Sequence, residues 1–230
     1  MGRNIVLTST VTANEAVGPA VPRVPTVKVV ANPSKGDGMP ESVQETVRTH
    51  LDHGRAYLDK GKYDDAIADY DKAIALAPNV ATAYTNRGVA YGRKGAFDRA
   101  ITDYDKAIAL DPNVATAYTN RGIAYGKKGA FDCAIADYTK AIALDPNDAT
   151  VYTIRGDACG MKSEVDRAIA DFDKAIALNP NVAVVYTIRG LAYESKGEVD
   201  RAIADFSKVL EIDPSDQVAK EGLKRLGVTP

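Results

Sequence analysis

Residues 81–114 read ATAYTNRGVAYGRKGAFDRAITDYDKAIALDPNV and residues 115–148 read ATAYTNRGIAYGKKGAFDCAIADYTKAIALDPND, with 28 of 34 positions unchanged. The step continues on both sides. Pro78, Pro112, Pro146, Pro180 and Pro214 stand 34 residues apart, and Gly54, Gly88, Gly122, Gly156 and Gly190 keep the same interval. A fixed period of this length marks one helix-turn-helix unit copied and stacked, each copy completing the core of its neighbours, rather than one closed globule.

The unit explains its own shape. Its apolar and small residues recur at helical spacing in two runs, first Tyr84, Gly88 and Tyr91, then Ala100, Ile101, Tyr104, Ala107 and Ile108. Gly95 supplies a left-handed residue to end the first helix, expected from about Ala81 to Lys94. Asp111-Pro112-Asn113 stops the second, expected from about Arg99 to Leu110. Asn79 and Asp98 are the expected caps of the two helices. Gly88 and Ala100 are small enough for the backbones to approach closely, with Tyr84, Tyr91 and Tyr104 filling the space beside the contact.

Five such units align outward from this stretch, at 47–80, 81–114, 115–148, 149–182 and 183–216, followed by a short final helix over 217–226 and a tail over 227–230. Ser42-Val-Gln-Glu45 has the form of a capping box, which predicts a first helix from about Val43 and a folded region over 41–226. Residues 1–40 are different. They are rich in Val, Pro, Ala and Thr, show no helical period, and are broken by Pro19, Pro22, Pro25, Pro33 and Pro40. A flexible tail is expected there.

The whole chain is 45% hydrophobic and 26% charged, with a formal net charge of -2. No long basic run occurs, so neither nucleic acid nor an anionic membrane is an expected partner. No stretch approaches the ~18 unbroken apolar residues of a membrane span. The start lacks the compact apolar block of a secretion signal, and Val6 stands where a myristoylation signal needs Ser or Thr. Cys133 and Cys159 do not make a disulfide framework, so a cytoplasmic setting is expected.

No catalytic set is visible: there is neither a nucleophile-base pair nor a phosphate loop, and no enzyme is expected. His50 and His53 share a helical face near Asp52, but two histidines leave a tetrahedral metal site half built, and packing places are the expected role. No metal and no cofactor are expected. Cys159 reads as a small core filler and Cys133 as an exposed substitution for an Arg of the sister units. Arg87, Arg121, Arg155 and Arg189 form one column; Asp69, Asp103, Asp137, Asp171 and Asp205 form another. Each Arg is expected to lay its stem on tyrosines and pair an Asp across a helix contact.

The unit A-x-A-Y-x-N-R-G-x-A-Y-x-x-K-G-x-F-D-x-A-I-x-D-Y-x-K-A-I-x-L-D-P-N resembles the tetratricopeptide repeat, five times over. Departures are few: His50 replaces an aromatic, Cys159 replaces a Tyr, and Ser163 replaces the helix-ending Gly, which is expected to weaken the fourth unit. The resemblance implies an all-α, right-handed α-solenoid of five units with a C-terminal capping helix. It also implies a concave groove lined by the first helices. By that register the groove residues are Arg55, Thr85, Asn86, Val89, Arg93, Thr119, Asn120, Ile123, Lys127, Thr153, Ile154, Asp157, Thr187, Ile188 and Leu191. The early part is amide-bearing and basic, the later part more apolar. The implied function is a non-catalytic adaptor or scaffold that binds a protein or peptide, an acidic one with an apolar end. The alternative is an assembly protein that self-associates through its terminal units or its tail. Gly92, Gly126 and Gly160 also fall in one column, which reads either as room for a ligand backbone or as ordinary fraying of helix ends. The clamp by which some family members hold a chaperone's C-terminal carboxylate is largely absent: Asn86 fits its middle place, but Leu51, Arg55, Thr116 and Asn120 fill the others.

Overall fold

The computed structural model describes residues 40–229; of the tail expected over residues 1–40, all but Pro40 lies outside the described residues. Among these residues every regular element is an α-helix, eleven in all. They divide into two bodies. Residues 40–144 hold α1 (Glu41–Asp59), α2 (Tyr63–Leu76), α3 (Ala81–Arg93), α4 (Phe97–Leu110), α5 (Ala115–Lys127) and α6 (Phe131–Leu144). Residues 145–229 hold α7 (Ala149–Met161), α8 (Val165–Leu178), α9 (Ala183–Lys196), α10 (Val199–Ile212) and α11 (Gln217–Arg225).

In the first body each odd helix packs on the even helix that follows it, and each pair passes on through α2 on α3 and α4 on α5. The first helices also touch one another, α1 on α3 and α3 on α5, and so form one wall of that body. The second body repeats the scheme: α7 pairs with α8, α9 with α10, and α11 covers α10 and reaches α9. This consecutive pairing is the tetratricopeptide α-solenoid fold class.

Local chemistry sets the breaks. Gly61, Gly95, Gly129 and Gly197 turn the chain between paired helices with φ of 72°, 78°, 76° and 75°, a left-handed conformation that costs glycine little. Ser163 holds the same place in the fourth pair at φ 63°. Asp111, Asn179 and Asp213, each standing before a loop proline, are extended, with φ of -143°, -143° and -133°, because the proline ring forbids them a helical shape. Asp111 then accepts a hydrogen bond from the Asn113 backbone N–H at 3.0 Å, a side-chain turn that starts the link.

The helix starts differ from expectation. Ser42 lies inside α1, whose N-cap is Pro40, so no capping box forms. Val80, not Asn79, precedes α3, and Ala96, not Asp98, precedes α4, with no side-chain cap at either. Asp98 sits instead in the first turn of α4 and pairs with Lys128, where its charge still favours the helix N-terminus. Side-chain caps occur elsewhere: Asp148 accepts from Thr150 N at 2.9 Å and Asp216 from Ala219 N at 2.8 Å.

The core is thin and rich in alanine. Ala66, Ala73, Ala100, Ala107, Ala134 and Ala202 are fully buried, which lets helices approach closely. The period glycines make room first for an aromatic ring of the facing helix. A methyl on Gly88 would lie 2.7 Å from the Tyr104 ring, and one on Gly122 would lie 2.5 Å from the Tyr138 ring. At the C-terminal end Phe206 lies between Gly190 and Gly222, whose methyls would stand 3.0 and 2.7 Å from it.

Candidate functional site

The arginine column is structural in every pair where it occurs. Arg87 donates from Nε to Asp103 Oδ2 at 2.8 Å and from Nη2 to Asp103 Oδ1 at 2.6 Å, tying α3 to α4. Its remaining arm, Nη1, donates to Asp71 Oδ1 of the preceding pair at 2.6 Å. Arg189 does the same with Asp205 and Asp173, and Arg155 grips Asp171. The Arg87 guanidinium also stands 5.6 Å from the Tyr84 ring and 5.9 Å from the Tyr91 ring, within cation-π range. Its hydrogen bonds to Asp103 hold it protonated well above the ordinary arginine value, against the opposing effect of burial. These arginines have no free fork with which to hold a ligand.

The first pair is built differently. His53 occupies the arginine place and is exposed, while His50, in the tyrosine place, puts Nδ1 3.0 Å from Asp69 Oδ1. An ionised carboxylate only accepts, so Nδ1 carries the hydrogen. Lys72 donates to the same Asp69 oxygen at 3.2 Å. Burial would raise the Asp69 carboxyl, but the bonds from Lys72 and His50 outweigh it and hold the group below its ordinary value. Among the described residues no three His, Cys, Asp or Glu gather as a metal site. Cys133 is exposed; Cys159 is buried, and burial raises its thiol above the ordinary value.

A second ladder joins successive pairs. Lys94 pairs with Asp64, Lys128 with Asp98, and Lys196 with Asp166 at 2.6 Å. The residues just before Lys94 and Lys128 are Arg93 and Lys127. Both are exposed and form no ion pair among the described residues.

The fifteen residues expected to line the groove fall into three groups. Arg93, Lys127 and Asp157 are exposed, and Arg55, Ile123, Thr153, Ile154, Ile188 and Leu191 are half-buried. Thr85, Asn86, Val89, Thr119, Asn120 and Thr187 are buried. The threonines are recessed because each hydroxyl is satisfied within its own helix: Thr85 donates to Ala81 O at 3.1 Å, and Thr119 to Ala115 O at 3.1 Å. Asn120 differs, since its Nδ2 is enclosed without any acceptor. In the first body the structure places Arg55, Asn86, Arg93, Asn120, Ile123 and Lys127 on adjoining first helices, with Arg93 and Lys127 exposed and the two amides buried. In the second body Ile154, Ile188 and Leu191 lie on α7 and α9. Glu194, also on α9, is held by Arg225 at 2.9 and 2.8 Å. The Tyr104 hydroxyl was not visible in the sequence pattern as a candidate, because Tyr104 sits at a core position of the even helix.

A stacked helix-pair scaffold with an amide-bearing wall is the architecture of a protein-interaction module. Residues 54–95 and 93–129 match a family profile described as TPR repeat, and residues 115–148 and 183–216 match one described as Tetratricopeptide repeat. The chain belongs to the tetratricopeptide repeat family. A crystal structure of MamA is 33% identical, the match covering 70% of this chain and 94% of that one with a TM-score of 0.67. A second MamA crystal structure is 30% identical over 81% of this chain and 98% of that one, also at 0.67. YrrB, whose structure is described as that of a TPR protein with an unusual peptide-binding site, is 21% identical over 80% and 98% with a TM-score of 0.68. No curated protein matches the chain. No helix among the described residues is long and apolar enough to cross a membrane.

Proposed function

We propose that the chain is a non-catalytic adaptor that holds an extended segment of a partner protein against its first helices. In the first body the segment is acidic. The observation that carries this reading is the contrast between neighbouring cations: Lys94 and Lys128 are each neutralised by an aspartate, whereas Arg93 and Lys127, one residue earlier, face solvent without one. Charges left unpaired on an exposed stretch of helix suit a carboxylate-bearing peptide. The second body takes an apolar side chain, since Ile154, Ile188 and Leu191 are half-buried and Met161 and Val184 are exposed. Apolar anchors of this kind supply much of the affinity of a peptide interface. A reducing compartment such as the cytoplasm suits the two free thiols.

An array of random 12-residue peptides, probed with the intact chain, tests the reading. Bound peptides are expected to be enriched in Asp and Glu, and Arg93→Glu with Lys127→Glu is expected to remove that enrichment. An array that stays empty, or binding indifferent to both salt and charge reversal, overturns it.

A further inference from the structure

Two glycine columns run down the first helices, and packing accounts for only one. Gly88 and Gly122 are required, because any side chain there would strike a tyrosine ring at 2.7 or 2.5 Å. Gly92 is not. A methyl at Gly92 would meet Tyr104 Oη at 3.9 Å and Ala100 Cβ at 4.0 Å, ordinary contact distances, and the residue is helical. Among residues other than proline, glycine is the poorest helix former, so something besides packing is needed to explain it.

The missing side chain leaves a gap at least one methyl deep beside the Tyr104 hydroxyl. Tyr104 is 3% exposed, yet its hydroxyl makes no hydrogen bond among the described residues and is the nearest atom to the Gly92 notch. Two tyrosines of the first helices are satisfied: Tyr84 donates to Pro78 O at 3.2 Å and Tyr186 to Pro180 O at 3.1 Å. The first pair supplies an internal control. There Leu58 stands in the place of Gly92 and packs against the Tyr70 cluster, and the Tyr70 hydroxyl is sealed off entirely. Where the ring is Phe172 or Phe206 there is no hydroxyl to expose. Leu58, Val89 and Ala124 wall the same cluster as Tyr104, and exposed Arg93 follows Gly92 directly. Burial raises the phenol above its ordinary value, so it stays protonated and can donate.

We propose that the notch over Gly92 is a main-chain subsite, in which an extended peptide lies against the glycine and one of its carbonyl oxygens accepts a hydrogen bond from the Tyr104 hydroxyl. The inference rests on the adaptor reading and deepens it. A recessed, neutral donor under a gap without a Cβ fits a peptide carbonyl and leaves side-chain choice to the cations beside it. At Gly126 only the spacing recurs, a methyl there lying 3.8 Å from Tyr138 Oη; Tyr138 has a partner of its own, so the subsite is assigned to Gly92 alone.

The test uses the strongest binders from the random 12-residue array, measured by fluorescence polarisation against the intact chain and its variants. Tyr104→Phe keeps the ring on Gly88 and removes only the hydroxyl; it is expected to weaken binding roughly three- to tenfold without lowering the melting temperature. Gly92→Leu, copying the first pair, is expected to weaken the same peptides at least as much, and Gly92→Ala to do so with a melting temperature equal or higher. Unchanged affinity in both Tyr104→Phe and Gly92→Leu overturns the subsite while leaving the adaptor reading standing. If the intact chain captures no peptide, both fall. Should Gly92→Leu fold poorly, Tyr104→Phe alone decides.

Discussion

Arg121 closes on Asp137 through two parallel hydrogen bonds, Nε to Oδ2 at 2.8 Å and Nη2 to Oδ1 at 2.7 Å, while its Nη1 reaches Asp105 of the preceding pair at 2.5 Å. One guanidinium therefore welds α5 to α6 and α5 to α4. The two arms are unequal. The Asp137 side chain is 8% exposed and the Asp105 side chain 52%, so solvent screens the second far more than the first.

Arg121→Ala should consequently cost about 2 to 4 kcal/mol, since it strands a nearly buried carboxylate. Asp105→Ala should cost less than about 1 kcal/mol. Arg121→Lys should rescue little, because an ammonium cannot reproduce the planar fork. Chemical denaturation of the three variants checks the order. Arg121→Ala should also lower the melting temperature more than it lowers affinity for array peptides; unchanged melting with lost binding would reassign the column to the ligand.

Glycine position separates structural need from vacancy. At Gly122 a methyl would lie 2.5 Å from the Tyr138 ring, while at Gly126 the nearest atom stands 3.8 Å away. Gly122→Ala is expected to destabilise by roughly 1 to 3 kcal/mol through overpacking. Gly126→Ala, four residues on in the same helix, is expected to be neutral or stabilising by up to about 1 kcal/mol. Equal unfolding midpoints for the two variants would refute the distinction.

How much of this was legible in the residues follows from how local each feature is. The glycine turns were readable because φ above zero is a property of one residue and its neighbours. The Arg121–Asp137 contact was readable because both residues recur at the repeat period. The caps were not, since Asp98 had two satisfactory uses and the choice fell to Lys128, thirty residues away in sequence. Burial of Thr85 and Asn86 was likewise invisible. A threonine that bonds its own helix needs no solvent, and nothing in its sequence position says so. The Lys–Asp ladder is present in the sequence as a period, but which of two adjacent cations an aspartate takes, Lys94 rather than Arg93 and Lys128 rather than Lys127, is set by the packing of one pair on the next.

Alkali should unfold the protein through buried phenols. Burial raises both Tyr70 and Tyr104 above the ordinary phenol value of 10.0. A group whose folded value is raised contributes stability that is complete below the unfolded value and is lost as pH climbs from there toward the folded one. Helical circular dichroism should hold up to about pH 10 and then fall together with the rise of phenolate absorbance. Tyr104→Phe should make that loss shallower; an identical alkaline curve would mean that Tyr104 ionises without cost.

Ser163 provides the last test, because it is the one described residue other than glycine with positive φ, at 63°. It fills the turn between α7 and α8 that Gly61, Gly95, Gly129 and Gly197 fill in their own pairs. Its backbone still makes the helix-ending bonds, with Ser163 N donating to Gly160 O at 2.8 Å and Glu164 N to Cys159 O at 2.9 Å. The turn is therefore formed, and the strain lies in the Cβ. Ser163→Gly removes that strain, worth about 1 to 2 kcal/mol, but gives the unfolded chain more freedom, which takes back part of it. A net gain of about 0.5 to 1 kcal/mol is expected, appearing as slower amide exchange in α7 and α8 with α9 and α10 less affected. The reverse substitution, Gly129→Ser, should lose a similar amount in α5 and α6. If Ser163→Gly is no more stable than the natural chain, the fourth pair is not weakened by its turn.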